Sequence, residues 1–141
     1  MIPQILAVEN ASFTCPWSEE LFRETLREKS ISFLVCLTES GELAGFACFL
    51  TAADEGELLN IASAPAYRRK GVGQLLLDRC FSECAAKGVS ALYLEVRHGN
   101  VPARSLYLKN GFEEIGVRRN YYVKPREDAV LMRRIFPDTE R

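Results

Sequence analysis

The stretch ELLNIASAPAYRRKGVG, residues 57–73, decides the fold class of this chain. It begins with a β-rich run from Glu57 to Ala64, which ends at Pro65. A basic turn with two glycines follows, and apolar residues then recur at helical spacing as far as Gly88. A second β-rich run, ALYLEV from Ala91 to Val96, comes directly after this helix. A strand, a helix and a strand with such short connections predict a parallel pair joined by a right-handed crossover, and hence an α/β fold.

The other predicted elements flank this pair in the sequence. Two short helices are expected at the start, from Pro3 to about Ser12 and from Ser18 to about Lys29. An antiparallel hairpin follows, because a Glu-Ser-Gly turn separates Ser32 to Thr38 from Glu42 to Ala52. The last predicted elements are a helix from Val101 to Lys109, a strand from Phe112 towards Arg119, a polar loop from Asn120 to Asp128 and a strand from Ala129 to Ile135.

Length and charge limit the classes of function. We expect one domain over residues 1–141, since the chain is too short for two of ordinary size. Eighteen basic against nineteen acidic residues give a net charge of −1, so there is no overall attraction to nucleic acid or to an anionic membrane. No apolar run reaches the ~20 residues of a membrane span and no signal peptide is recognisable, so we expect a cytoplasmic protein.

The five cysteines do not indicate a metal site or a disulfide framework. Four of them lie in apolar runs and there is no C-x-x-C pair, which predicts reduced core cysteines. Cys80 and Cys84 share a helix face, but His98 is the only histidine and no second cysteine pair exists. We therefore expect no bound metal.

The basic turn between the first strand of the parallel pair and its helix has the pattern Arg68-x-x-Gly71-x-Gly73. Its glycines let the backbone approach a ligand closely, and the free amides and dipole of the following helix favour an anion such as a pyrophosphate. The alternative is a basic surface turn that caps the helix, and the motif alone supports both about equally. The Walker and dinucleotide-binding patterns are incomplete here.

Four blocks in order resemble the GNAT N-acetyltransferase superfamily. They are Glu57 to Ala62 (ELLNIA), Pro65-x-Tyr67-Arg68-Arg69-Lys70-Gly71-x-Gly73, Leu94-Glu95-Val96-Arg97-x-x-Asn100, and Ala103-x-x-Leu106-Tyr107-x-x-x-Gly111-Phe112. Within it, FxxPWS at Phe13 to Ser18, RNYY at Arg119 to Tyr122 and EDA at Glu127 to Ala129 are similar to the bacterial ribosomal-protein-alanine N-acetyltransferases. The resemblance covers nearly the whole chain.

The resemblance implies the GNAT fold: a mixed, mostly antiparallel twisted sheet with a central splayed parallel strand pair and helices on both faces. The family's additional first strand, ahead of the first helix, has no counterpart in this sequence, so either that strand is absent or the start of the sequence is misplaced. Its absence would leave the Ser32 to Thr38 strand at an exposed edge, which a covering segment or dimerisation would relieve. We expect a monomer or a weak dimer.

The resemblance also implies acetyl-CoA as cosubstrate. The matching positions for binding it are Ile61, Ala62, Ser63, Arg68, Arg69, Lys70, Gly71, Val72, Gly73, Gln74, Asn100 and Tyr107. By the same resemblance Glu95 is the general base and Tyr107 the general acid. The alternatives are a strand-end carboxylate of Glu95 paired with Arg97, and a Tyr107 ring that only packs on the sheet.

On the acceptor side, the resemblance assigns substrate binding to Trp17, Asn60, Arg97, Tyr121, Tyr122 and Asp128. The alternative is an aromatic hairpin that packs on the sheet. His98 follows the predicted Glu95 strand, and we expect an exposed loop histidine rather than a second base.

The expected reaction is direct acetylation of a protein N-terminal α-amine, with a small-subunit ribosomal protein as partner. An acetyl-cysteine intermediate is possible in principle, but no cysteine falls in the matched active-site blocks, which favours direct transfer. The alternatives are an acetyltransferase acting on a small amine or a lysine side chain, and a non-catalytic acetyl-CoA-binding regulator. Nucleic-acid binding is the least expected function, because the arginine pairs lie on different elements.

Overall fold

A computed structural model describes residues 1–137 of the chain. Its helices are α1 (Ile2–Ser12), α2 (Glu19–Arg27), α3 (Val72–Ala86) and α4 (Val101–Lys109), with a short 3-10 turn at Pro65–Tyr67. Its strands are β1 (Ile31–Leu37), β2 (Leu43–Ala52), β3 (Glu55–Ser63), β4 (Ala91–Arg97), β5 (Glu113–Val123) and β6 (Arg126–Ile135). They form one sheet in the order β1-β2-β3-β4-β6-β5.

The predicted parallel pair is confirmed as the centre of this sheet. β3 and β4 are parallel and joined through α3, whereas the neighbouring strand pairs are antiparallel. Their register extends only from Glu55 opposite Ala91 to Glu57 opposite Tyr93. Beyond these residues the two strands diverge, which confirms the expected splay.

Helices cover both faces of the sheet. One face packs Phe49 of β2 and Leu92 of β4 against α3 and α4, in the larger of two apolar clusters. The other face packs Phe46 of β2 against Ile5 of α1 and Phe22 of α2. The two faces therefore carry separate cores, as the alternation of side chains along a strand requires.

Local signals set the ends of the helices as predicted. The Ser18 hydroxyl accepts a hydrogen bond from the backbone N–H of Leu21 at 3.1 Å and caps α2. Gly88, with φ of 74°, follows α3 in the left-handed conformation that commonly ends a helix.

The predicted polar loop from Asn120 to Asp128 is wrong. β5 continues to Val123 and β6 begins at Arg126, so only Lys124 and Pro125, joined by a cis peptide bond, form the turn. The register shifts between Arg118 and Tyr122, where Asn120 has a positive φ of 51°. This bulge, on an edge strand whose side chains are mostly exposed, breaks the polar–apolar alternation that predicts a strand.

Strand β1 lies at the other edge of the sheet and pairs only with β2, as expected. Within residues 1–137 no strand precedes α1. Val35 and Leu37 of β1 are exposed. Among the same residues, no helix is long and apolar enough to cross a membrane.

The cysteines are free thiols. Cys48, Cys80 and Cys84 are buried, which confirms the prediction of reduced core cysteines for these three. Cys36 is half-buried and Cys15 is exposed. In the described part of the chain, no three His, Cys, Asp or Glu side chains come together in a way that would hold a metal ion.

Candidate active site

A cavity of about 410 Å³ opens where β3 and β4 diverge. One wall is β3, where the register with β2 shifts between Cys48 and Phe49, so that Leu59 bulges. The opposite wall is the end of β4 together with α4, and the segment between α1 and α2 lines one side. The predicted coenzyme residues Ile61, Ala62 and Ser63 lie along the β3 wall. A bulge turns backbone amides out of the ladder, where they can bind a ligand oxygen.

The basic turn at the start of α3 adjoins this cavity. Gly71 has φ of 82° and is the N-cap of the helix, while Arg69 has φ of 62°. Gly73 lines the cavity, and a Cβ added there would lie 3.1 Å from the Leu106 side chain. The first-turn amides of α3 therefore lie beside the cavity, where a helix N-terminus can bind an anion. The missing side chain at Gly73 leaves room for Leu106.

The basic side chains of this turn make different contacts. Arg68 donates hydrogen bonds to Ala11 O at 3.2 Å and to Ser12 Oγ at 3.1 Å, which ties the turn to the end of α1. Lys70 lies over the Tyr67 ring, 5.7 Å from its centroid. Both cations are exposed, but the guanidinium of Arg68 is directed to α1 rather than to the cavity.

Two further predicted coenzyme residues connect elements around the cavity. Gln74 exchanges hydrogen bonds with Asn110 at 2.7 and 2.9 Å, which joins α3 to the end of α4. Asn100 lines the cavity, and its side-chain oxygen caps α4 by accepting from Ala103 N at 3.3 Å. Val72 is buried in the core beneath the turn.

Glu95 lies on the β4 wall of the cavity and is half-buried. Its carboxylate is 3.6 Å from the Arg118 guanidinium, not paired with Arg97 as the alternative prediction had it. Tyr121 lies next to the same carboxylate, whose charge and hydrogen bond raise the pKa of that phenol. The candidate base therefore faces both the cavity and a polar surface.

Tyr107 of α4 lines the same cavity and is only 5% exposed. Its ring packs against Phe112 with centroids 5.6 Å apart, so it also has the packing role considered as an alternative. Burial, with a smaller contribution from nearby Tyr122, raises the pKa of Tyr107 above its ordinary value. The phenol therefore stays protonated at neutral pH, as a proton donor must.

Arg97 is held in a network that closes the outer end of the cavity. It pairs with Glu127 at 3.3 Å and donates to the carbonyl oxygens of Lys124 at 3.1 Å and Pro125 at 3.0 Å. Its guanidinium also lies over the Tyr122 ring, 4.1 Å from the centroid. Arg97 thus fixes the β5–β6 turn, a role that the predicted substrate contact did not include.

The same turn contacts the segment between α1 and α2. Thr14 donates to Lys124 O at 2.9 Å, and the Cys15 thiol lies 3.5 Å from that oxygen. Cys15 and Thr14 both line the cavity, although no cysteine falls in the matched active-site blocks. The FxxPWS pattern at Phe13 to Ser18 carried the signal, since it spans these two positions.

Trp17 and Asn60, predicted to bind substrate, both line the cavity, and a residue not identified from the sequence joins them. Glu9 of α1, 1% exposed, accepts hydrogen bonds from the Trp17 backbone and from the Asn60 side chain. A glutamate in a helix ordinarily predicts an exposed position. Glu9, directly after the apolar Val8 in α1, would therefore be expected on the solvent side. Nothing in the local pattern indicates a buried carboxylate.

The remaining predicted residues lie around the rim. Tyr122 lines the cavity and Tyr121 is 48% exposed. Asp128 accepts a hydrogen bond from Asn120 N at 2.8 Å and stabilises the β5 bulge, so its side chain is committed to the hairpin. His98 is an exposed loop residue, as expected.

The chain is similar to known proteins in sequence and in fold. A family model described as the acetyltransferase (GNAT) family matches residues 2–112. The chain is 40% identical over 133 residues to the ribosomal protein bS18-alanine N-acetyltransferase of Escherichia coli strain K12, across 93% of this chain and 88% of that protein. The corresponding enzyme of Haemophilus influenzae is 39% identical over 132 residues, across 92% of this chain and 88% of that protein.

Two solved structures show the same architecture. The crystal structure of the ribosomal-protein-S18-alanine N-acetyltransferase from Escherichia coli superposes with a TM-score of 0.88 at 37% identity, across 95% of this chain and 86% of that one. Ard1 from Thermoplasma volcanium superposes with a TM-score of 0.90 at 30% identity, across 96% and 91%. The resemblance found in the four sequence blocks is thus confirmed. The chain belongs to the GNAT family of acetyltransferases and is an N-acetyltransferase.

Proposed function

We propose that this chain acetylates the N-terminal α-amine of a protein, with acetyl-CoA as donor and the alanine of ribosomal protein bS18 as acceptor. The observation that carries the proposal is the placement of Glu95 and Tyr107 on one cavity between diverging strands. The relatives named above for bS18-alanine acetylation support the choice of acceptor. The reaction would take place in the cytoplasm, where ribosomal proteins are made.

The coenzyme side of the proposal rests on β3 and the turn before α3. Acetyl-CoA would supply an activated acetyl thioester. Backbone amides of residues 61–63 would hold the acyl arm beside the β3 bulge, and those of residues 69–74 would bind the pyrophosphate. A dipole and amides fixed in advance stabilise negative charge on an acyl oxygen without reorganisation.

Glu95 is the proposed base. A peptide α-amine has a pKa of ~7.7–8.0, so much of it reaches the site protonated at neutral pH and must lose a proton before it attacks. A carboxylate at the end of β4 takes that proton directly or through one water. Arg118 lies 3.6 Å from this carboxylate and is mostly exposed, and Glu95 still lines the cavity.

Tyr107 is the proposed acid for the departing thiolate. Its burial keeps the phenol neutral, and its place on the cavity wall opposite β3 puts it within the site. The proton that the attacking amine releases can then reprotonate Tyr107. Direct attack needs no acyl-enzyme intermediate, so Cys15 is not assigned a covalent role.

The acceptor side is proposed to be the rim formed by the α1–α2 segment and the β5–β6 hairpin. Trp17 and Tyr122 line it, and Tyr121 lies beside Glu95 at its outer edge. Aromatic rings and free backbone groups in such a rim suit an extended peptide. A free amine with no peptide attached would leave this rim unused.

Steady-state kinetics test the proposal. The purified chain is given acetyl-CoA with a peptide carrying the bS18 N-terminus, the same peptide with a blocked α-amine, and a panel of polyamines and amino sugars. We expect turnover of the free peptide alone. Turnover of the small amines alone would show that the acceptor is a small amine and not a protein N-terminus. Binding of acetyl-CoA without turnover of any amine would favour a non-catalytic acetyl-CoA-binding regulator.

A further inference from the structure

Glu9 is a buried carboxylate in the wall of the cavity that no step above uses. It belongs to α1, and only 1% of its surface is exposed. Acidic side chains are almost never fully buried unless they are paired, and no ion pair is formed by Glu9 among residues 1–137. Its burial therefore needs a compensating set of hydrogen bonds.

Two N–H donors supply that compensation, one to each oxygen. The Trp17 backbone N–H donates to Oε2 at 2.9 Å, and the Asn60 side-chain amide donates to Oε1 at 2.8 Å. Burial raises the pKa of Glu9, while both donors lower it. Because both oxygens accept hydrogen bonds, the geometry suits the ionised carboxylate.

The two partners belong to adjoining walls of the cavity. Asn60 is part of the β3 bulge, paired with Cys48 and next to the amides proposed to hold the acyl arm. Trp17 ends the segment that lines the acceptor side, and its ring packs on Phe22 with centroids 5.1 Å apart. One carboxylate thus fixes the position of the coenzyme wall relative to the acceptor wall.

We propose that Glu9 is a positioning residue for acetyl transfer. It holds the β3 bulge and the start of the acceptor rim at the separation that attack requires, and it takes no proton itself. The proposal rests on the proposed function, since it presumes a reaction between groups on the two walls. Misplacement by about 1 Å lowers the rate of such reactions by about 10²-fold.

Glu9→Ala is the first test, with Gln4→Ala on the exposed side of α1 as control. We expect Glu9→Ala to lower kcat by about 10²-fold and to change the dissociation constant of acetyl-CoA, measured by calorimetry, by less than about threefold, because the pyrophosphate turn is unaltered. Gln4→Ala should match the parent. A folded Glu9→Ala variant with an unchanged kcat would overturn the proposal, as would a loss of coenzyme affinity equal to the loss of activity.

A matched exchange separates positioning from general stability. Asn60→Asp alone sets two carboxylates against each other, and we expect kcat to fall about 10²-fold. Adding Glu9→Gln again sets one amide donor against one carboxylate acceptor. We therefore expect kcat of the double variant to be at least about tenfold higher than that of Asn60→Asp. This comparison also decides the matter if Glu9→Ala does not fold. A double variant that folds but is no better than Asn60→Asp would contradict the proposal.

The proposed function fails separately from this inference. The variants are assayed with whichever amine the parent acetylates, so a different acceptor leaves the comparison intact. The pH profile of kcat adds a readout: a positioning residue lowers the whole profile without moving its acid limb, whereas a proton acceptor would move that limb when replaced.

Discussion

The carboxylate of Glu95 lies 3.6 Å from the guanidinium Nε of Arg118, although β6 separates their strands in the sheet. More than half of the Arg118 side chain is exposed, so the pair contributes little to folding stability. Glu95 nonetheless lines the cavity, so the pair does not remove its carboxylate from the site.

The first prediction concerns Glu95→Gln. It removes the proposed base but keeps the shape of the side chain, so we expect turnover at neutral pH to fall by about 10²-fold or more. Acetyl-CoA affinity, measured by calorimetry, should stay near that of the parent. Glu55→Gln at the far end of β3 is the control, because Glu55 is exposed and lies outside the cavity. Equal turnover of Glu95→Gln and the control would refute the assignment.

The second prediction is for Tyr107→Phe. We expect kcat to fall by about 10- to 100-fold, since the ring keeps its packing on Phe112 and only the proton donor is lost. Burial raises the pKa of Tyr107, so ionisation of this phenol should not limit the parent enzyme between roughly pH 6 and 9. The pH–rate profile checks this. Loss of parent activity below pH 9 that Tyr107→Phe abolishes would contradict the assignment.

The third prediction compares two glycines in similar backbone conformations. Gly71 has φ of 82° at the start of α3, and Gly41 has φ of 86° in the β1–β2 turn, with open space around each missing Cβ. Replacing either by alanine should cost about 1 kcal/mol of folding stability. Only Gly71→Ala should also weaken acetyl-CoA binding in calorimetry. Equal affinities in the two variants would remove the turn from the coenzyme site.

The fourth prediction concerns Arg97→Lys, which keeps the charge but cannot bridge Glu127 and two carbonyl oxygens at once. The β5–β6 turn should loosen, and we expect KM for the peptide to rise by about tenfold with little change in acetyl-CoA affinity. Arg133→Lys, which alters an exposed pair with Glu113, is the control. A peptide KM that stays within twofold of the control would count against this role.

The strands and the turn beside the proposed coenzyme site were predictable because their signals are local. The run from Glu57 to Gly73 contains a strand, a turn with glycines at fixed positions and a helix start, and the short crossover to β4 leaves one arrangement of the two strands. The splay and the roles expected of Glu95 and Tyr107 came instead from the resemblance of the four blocks to the GNAT family.

The acceptor half was less predictable because its contacts join distant segments. Asn60 meets Glu9 across 51 positions, and Thr14 meets Lys124 across 110. The sequence predicts Arg68 as a phosphate ligand, yet its guanidinium donates a hydrogen bond to the end of α1. No periodicity encodes such pairs. The edge strand β5 was partly mistaken for a loop for a related reason, since its exposed face and bulge show no alternation.

The most direct measurement is fragment mass spectrometry of a peptide with the bS18 N-terminal sequence and an internal lysine, after incubation with acetyl-CoA and the purified chain. We predict one acetyl group, located on the α-amine, and its loss with Glu95→Gln. An acetyl group found only on the lysine, or an unmodified peptide in the presence of folded enzyme that binds acetyl-CoA, would contradict the account.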